Sequence, residues 1–343
     1  MTKRGKGASK TNMPRQPRLD TPGALHHIIG RGIERTKIFR KEKDRIDFID
    51  RLAELCREKA LVIYAWALMS NHYHLLVRTG KQPLSSSMRR LLTGYVVNFN
   101  RRNKRYGHLF QNRYKSIICE DDPYLLELTR YIHLNPLRAG IVGSLKELNK
   151  YKWTGHRVLM GKAKNDWQEV DTVLAYFGRR RKEAIVKYEA FIGEGIAAGR
   201  RPELTGGGLV RSAGGWAQVK SLRRKGIQIA SDERILGSGE FMERLIAEAE
   251  QREKETLRLA KRIPDLQEFA KRISKLQGIE KEELMRGSRK REAVKARKIF
   301  CQAVVKKGRY PGAEAARFLG ISTSAVNRLA NADELPEVMK IIS

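Results

Sequence analysis

Apolar and polar positions change period several times along the first half of the chain. Leu61 to Met69 is a nearly continuous apolar run, Ser70-Asn71 interrupts it, and His72-Tyr73-His74-Leu75-Leu76-Val77 follows. Run, tight polar break and second run predict two strands joined by a turn. Upstream, Ala24-Leu25-His26-His27-Ile28-Ile29 predicts a first strand, stopped at Gly30 and Gly32. Ile46, Ile49, Leu52, Leu55 and Cys56 recur at spacings of three and four, predicting a helix from about Lys43 to Lys59. A second helix starts near Ser86, with Met88, Leu91, Leu92, Tyr95, Val96 and Phe99 on one stripe and Asn98, Asn100, Arg101, Arg102, Lys104 and Arg105 at its polar far end. Gly107 to Glu120 reads as extended, interleaving Phe110, Tyr114, Ile117 and Ile118 with Gln111, Arg113 and Lys115. Asp122-Pro123 has the chemistry of a helix start. Pro136 predicts the end of that helix, which would run from Tyr124 to about Leu134. Hairpin strands interleaved with amphipathic helices define an α+β class: an antiparallel sheet with helices over one face and the other face left available.

The second half is patterned differently. Asp166 to Phe177 and Arg181 to Gly195 read as helices, the latter carrying Ile185, Tyr188 and Phe191 and beginning in the basic run Arg179-Arg180-Arg181-Lys182. Residues 195 to 216 are glycine-rich, a linker or mobile loop by composition. After the basic run Arg223-Arg224-Lys225, a helix dense in Glu, Lys and Arg is expected from about Ser238 to Lys261. From Pro264 onward the stripes Leu266, Phe269, Ile273, Leu276 and then Val294, Ile299, Ala303, Val304 describe packed helices. Ala313 to Leu319, Gly320-Ile321-Ser322 and Thr323 to Leu329 have the lengths and turn chemistry of a helix-turn-helix, with Ser322 as cap of the second helix.

Charge sharpens this picture. Lys plus Arg number 70 against 38 Asp plus Glu, a net charge of +32 in 343 residues. Such an excess attracts polyanions and makes nucleic acid the leading partner. The longest apolar run is far short of a membrane span, and the lysine-rich start has no apolar segment behind it, so a cytoplasmic protein without a membrane partner is expected. Residues 1–20 read as a flexible basic arm. Cys56, Cys119 and Cys301 are scattered, without metal-ligand spacing.

Candidate chemistry concentrates at the second hairpin strand. Residues two apart share a strand face, so His72 and His74 point one way while Tyr73, Leu75 and Val77 point the other. Two neutral imidazoles side by side supply half of a divalent-metal site, provided carboxylate, amide or water oxygens complete it. Without such oxygens they are two histidines on a half-exposed strand. His26 and His27 are adjacent and face opposite sides, poor geometry for a shared ligand role. The basic and aromatic residues between Gly107 and Glu120 suit a strand lying beside single-stranded nucleic acid, or an ordinary amphipathic strand. Tyr131 and Asn135, four apart, share a helix face if the last turn remains helical, but spacing alone makes Tyr131 one more residue of the apolar stripe beside Leu128 and Ile132.

Taken in order, Pro22-Gly23-x-x-His26-His27, "MSNHYHLLV", "GHLFQNRYKS" and "YLLELTRYIHLNPLRAGIV" resemble the single-tyrosine HUH transposases, and within them the REP-associated tyrosine transposases, over roughly Pro14 to Gly161. The resemblance implies a ferredoxin-like HUH domain in which Tyr131 is the nucleophile and His72, His74 and Asn135 hold a divalent metal, Mg²⁺ or Mn²⁺. It further implies strand cleavage and rejoining through a 5′-phosphotyrosine on single-stranded or hairpin DNA. Arg101, Arg102, Arg105, Arg113 and Lys115 would contact that DNA. The segment from "LQEFAKRISKLQGIEKEELMRGSRKR" to "GAEAARFLGISTSAVNRL" resembles the DNA-binding domain of the replication initiator DnaA. That resemblance places Arg289, Lys290 and Arg291 on the backbone and minor groove of duplex DNA and Thr323, Ser324, Asn327 and Arg328 in the major groove. The initiator's Arg-Asp-His run is replaced by Ile321-Ser322-Thr323, so a different sequence would be read, and no phosphate-binding loop is present. The expected organisation is an arm (1–20), an HUH catalytic domain (21–161), a helical and linker region (162–262), a helix-turn-helix domain (263–335) and a tail (336–343). The chain would act as monomer or homodimer, with its tyrosine working on its own or the other subunit's metal pair. The alternative is a DNA-binding regulator with an HUH fold that no longer cuts.

Overall fold

The computed structural model describes residues 21–199, 201, 204–205, 234–261, 266–285, 288–308 and 310–342. The chain forms two compact units, Met1–Leu245 and Ile246–Ser343. The basic arm 1–20, the run Arg223-Arg224-Lys225 and residues 206–216 of the glycine-rich stretch lie outside the described residues.

In the first unit β1 (Leu25–Arg31), α1 (Glu42–Arg57), β2 (Leu61–Leu68), β3 (His72–Thr79), α2 (Leu84–Arg102) and β4 (Lys115–Cys119) follow one another in a β-α-β-β-α-β order. The sheet order is β2-β3-β1-β4, all neighbours antiparallel, which is the ferredoxin-like arrangement. A two-residue strand, β5 (Ile235–Leu236), adds in parallel to β4. Strand alternation sorts the side chains. Ile28, Ile63, Trp66, Tyr73, Leu75 and Val77 pack with Phe48 and Leu52 of α1 and Met88, Leu91, Tyr95 and Phe99 of α2. Tyr73 lies against Phe48 with ring centroids 4.9 Å apart, and Phe48 meets Tyr95 edge-on at 5.3 Å. Contacts of this kind contribute about 0.5–1.5 kcal/mol each beyond the area they bury.

The opposite face, expected to stay available, is covered. α3 (Asp121–Arg138) lays Leu125, Leu128 and Ile132 against Leu25, Ala65, Ala67 and Leu76, and α7 (Arg181–Ala197) packs on α3 through Tyr188 and Ile192. The two helices approach closely at Gly195, where a Cβ would lie 2.5 Å from Arg130 Cδ and 2.9 Å from Leu134 Cδ1. Gly195 is thus a packed residue of the helix expected over Arg181 to Gly195, which runs on to Ala197. α3 also outruns its expected end. Pro136 sits in the last turn, where a missing N–H removes one hydrogen bond, and the helix stops at Arg138 before Gly140, whose φ is +68°.

Both sheet edges are occupied. Leu68 N donates to Trp153 O at 2.9 Å, Gly155 N to Trp66 O at 2.9 Å and Glu169 N to Ile63 O at 2.8 Å, which covers the edge of β2. The helix expected over Asp166 to Phe177 is shortened for this reason. Gln168 accepts from Trp66 Nε1 at 2.9 Å and the Trp167 ring lies 5.6 Å from that of Trp66, leaving only α6 (Asp171–Ala175) of that helix, after two further short turns, α4 (Leu145–Leu148) and α5 (His156–Leu159). Of the extended stretch Gly107 to Glu120, only Lys115–Cys119 is strand, with Phe110 bridging to Gly32. α8 (Gly239–Lys261) follows β5.

The second unit is helical: α9 (Leu266–Gln277), α10 (Lys281–Met285), α11 (Arg291–Cys301) continuing as a π-helical turn Gln302–Lys307, α12 (Gly312–Leu319), α13 (Thr323–Asn331) and α14 (Glu337–Ile342). Phe269, Ile273, Ile299, Phe300, Leu319 and Val326 form its core. Leu276 and Val294, expected on the packed stripes, are exposed. α12 ends at Gly320 in the left-handed conformation, φ +64°, and the Ser322 side chain accepts from Ala325 N at 3.2 Å, capping α13 as its sequence predicts.

Candidate active site

The sheet face beneath α3 gathers the candidate residues. In the β1–β3 register Arg31 is opposite His72 and Ile29 opposite His74, so Arg31, Ile29 and His27 share the face of the two histidines. On the other side of β1, Lys115 is opposite Ile29. One end of this face therefore carries Arg31, Lys115 and half-buried His72, while His74 and His27 lie further in and are buried.

Tyr131 comes from α3. Its ring centroid is 5.8 Å from that of His74 and 5.9 Å from that of His27, both edge-on, and the His72 and His74 rings are 5.4 Å apart. Phenol and imidazole pair are thus juxtaposed within one chain. The Arg138 guanidinium lies 5.3 Å above the Tyr131 ring, with Nη2 donating to Gly195 O at 3.2 Å. Because α3 stays helical past Leu134, Asn135 does sit one turn below Tyr131. Its Nδ2 donates to Tyr131 O at 3.0 Å, which directs the amide back onto its own helix and leaves Oδ1 as its acceptor.

Hydrogen bonds fix how the imidazoles present themselves. Asn71 Nδ2 donates to Arg35 O at 3.2 Å, so its Oδ1, 2.7 Å from His72 Nδ1, accepts a proton from that nitrogen. His72 Nε2 therefore carries the lone pair. Burial, with the nearby Arg31 charge, pushes the His72 pKa down to about 4, and burial foremost holds His74 well below its ordinary range. Both rings are neutral near pH 7, the state that binds metal. Two imidazole nitrogens and an amide oxygen suit a borderline divalent cation such as Mn²⁺, and Mg²⁺ less well. Among the described residues no group of three or more His, Cys, Asp or Glu side chains is placed to hold a metal ion.

The expected DNA contacts divide. Arg101 and Arg113 are exposed without an ion pair among the described residues, and Lys115 is exposed on the site face. Arg102 is spent within the fold, Nε on Asp44 at 3.1 Å and Nη2 on Asp47 at 2.9 Å. Arg105 organises its own loop through Asn100 and His108 O. In the second unit Arg289 and Arg291 are exposed, Lys290 pairs with Glu283, and Thr323, Ser324, Asn327 and Arg328 are exposed along α13. His133, two residues from Tyr131, points elsewhere: it is buried, its Nδ1 2.7 Å from Tyr188 Oη. Sequence reasoning missed His27, Arg31 and Arg138. The first two need the strand register, and Arg138 needs a helix that continues beyond a proline.

Residues 22–135 match the model of a family described as "Transposase IS200 like". That segment holds His27, His72, His74, Tyr131 and Asn135 and ends three residues before Arg138. No curated protein matches the chain. Among solved structures, that of a REP-associated tyrosine transposase bound to a REP hairpin aligns with 18% identity over 46% of this chain and 93% of its own, at a TM-score of 0.36. No helix among the described residues is long and apolar enough to cross a membrane.

Proposed function

We propose that this chain cleaves and rejoins single-stranded DNA through Tyr131. One observation carries the reading: the Tyr131 ring stands within 6 Å of His74 and His27 in the same chain, beside the His72–His74 pair, inside the segment that matches the transposase family. In the proposed reaction Tyr131 Oη forms a bond to phosphorus, its proton is lost, and the 3′-oxygen leaves and takes up a proton, giving a 5′-phosphotyrosine and a 3′-hydroxyl. The reverse attack rejoins a strand without ATP. His72 Nε2, His74 and Asn135 Oδ1 would hold a divalent cation, Mn²⁺ or Mg²⁺, which when bound would offset the charge developing on phosphate. Arg138 keeps the phenol ring in place, while Arg31 and Lys115 on the site face, with Arg101 and Arg113, offer cations to the DNA backbone. The second unit would dock duplex DNA through the exposed polar face of α13, supported by Arg289 and Arg291.

The test is covalent capture. Protein and its Tyr131→Phe variant are incubated with labelled single-stranded hairpin DNA and Mn²⁺, Mg²⁺ or chelator, then separated under denaturing conditions. A DNA-linked band that needs metal and is lost in the variant is expected. Equal DNA binding by both proteins with no such band under any condition would leave a DNA-binding regulator.

A further inference from the structure

His27 occupies a position that the nucleophile and the metal pair do not account for. It is fully buried, with Nδ1 3.0 Å from Leu204 O and Nε2 2.9 Å from His74 Nδ1. A carbonyl oxygen only accepts, so the Leu204 bond places a proton on His27 Nδ1. In the neutral ring Nε2 then carries a lone pair and must accept from His74 Nδ1–H. The direction of the whole chain is fixed: His74 Nδ1–H donates to His27 Nε2, and His27 Nδ1–H donates to Leu204 O. His74 is left with its lone pair on Nε2, the same tautomer that Asn71 imposes on His72.

We propose that His27 is a positioning residue, which with the Leu204 carbonyl holds His74 in the Nδ1–H tautomer and turns Nε2 toward the metal. The inference rests on the metal-assisted reading above and deepens it. It also gives a task to chain outside the matched segment. Leu204 is buried in the core of the first unit, and close by Arg201 Nη1 donates to Glu127 Oε2 of α3 at 3.3 Å. Leu204 is thereby built into the site, about 70 residues beyond the end of the family match.

The experiment compares wild type, His27→Leu and His27→Gln in the full chain. Gln keeps an acceptor oxygen near the place of Nε2, whereas Leu fills the space without one. Thermal melts confirm that both variants fold. With ¹⁵N-labelled histidine, two-bond ¹⁵N–¹H spectra report the His74 tautomer, assigned with His74→Gln, and paramagnetic resonance reports the free Mn²⁺ concentration. Wild type and His27→Gln are expected to show the Nδ1–H form of His74. His27→Leu is expected to show a tautomer mixture and Mn²⁺ binding weakened by about 10–100-fold, with His27→Gln within about threefold of wild type. An unchanged His74 tautomer and Mn²⁺ affinity in a folded His27→Leu would overturn the proposal, as would a His27→Gln protein as impaired as His27→Leu. Failure of the functional reading would look different: no Mn²⁺ binding and no covalent band in wild type, with the His74 tautomer still set by His27.

Discussion

Tyr188 shows how much a single hydroxyl can organise. His156 Nε2 is 2.7 Å from Asn149 Oδ1, and Asn149 Nδ2 donates to Glu189 Oε1 at 2.7 Å, so His156 carries its proton on Nε2. Its Nδ1, 3.0 Å from Tyr188 Oη, accepts the phenol proton, and Tyr188 Oη in turn accepts from His133 Nδ1–H. Tyr188→Phe would take the hydrogen-bond partner from Nδ1 of both histidines, at a cost of about 1–3 kcal/mol for each buried group, read as a lower urea midpoint. The same network sets a pH dependence. Burial pushes the His156 pKa from 6.5 down to about 3 and holds His133 well below its usual range. A base whose folded pKa is depressed takes up protons on unfolding, so its stability contribution is complete above the unfolded value and is lost as pH falls. From pH 6 to 4, unfolding free energy should decline by about 1.4 kcal/mol per unit for each such histidine. His156→Gln should flatten the slope of stability against pH by one proton's worth. At this scale the sequence was half legible: alternation put His72 and His74 together and His26 and His27 apart. It could not show that His27, 47 residues from His74 and 177 from Leu204, joins the pair, because register and loop return are long-range facts.

Elements were easier to read than their partners. The helices α1 and α2, the apolar stripe of α2, the hairpin and the Ser322 cap follow from local spacing and chemistry and are present in the structure, whereas on α1 the expected stripe residue Ile46 is exposed and Phe48 takes the core position. What spacing did not carry was the second layer. α3 and α7 cover the face that seemed open, and they meet through Gly195. Gly195→Ala would push a Cβ into Arg130 and Leu134 and displace the carbonyl that holds Arg138 over Tyr131. A loss of about 1–3 kcal/mol is expected, together with a lower covalent yield than the change in stability explains. β1 has a comparable constraint. A Cβ at Gly30 would lie 2.4 Å from the Tyr73 ring, so Gly30→Ala should lower the melting temperature by wedging β1 from the aromatic cluster. Local rules also misjudged Pro136 as a stop and Asp166–Phe177 as a helix. In each case tertiary demand prevailed: burial of α3 over the sheet, and hydrogen bonding along the edge of β2.

For the molecule as a whole, a charge of +32 makes electrolyte the simplest probe. If both units contact phosphates, log affinity for DNA should fall linearly with log salt, with a slope of about 0.9 per neutralised phosphate on duplex and about 0.7 on single strands. Arg328→Ala should weaken duplex binding and leave the Tyr131 adduct on single strands unchanged. If both activities fall together, the division of labour between the units is wrong. The composition points toward a polyanion partner but not to which cations would serve it; Arg102, bound to Asp44 and Asp47, shows why a count of charges overstates the free ones. One feature of the site reaches further. Because the Tyr131 ring lies against the His74 and His27 rings of its own chain, the proposed cleavage should be first order in protein and insensitive to dilution. Mixing Tyr131→Phe with His74→Ala should yield no complementation, since neither defective polypeptide can lend its partner the missing half.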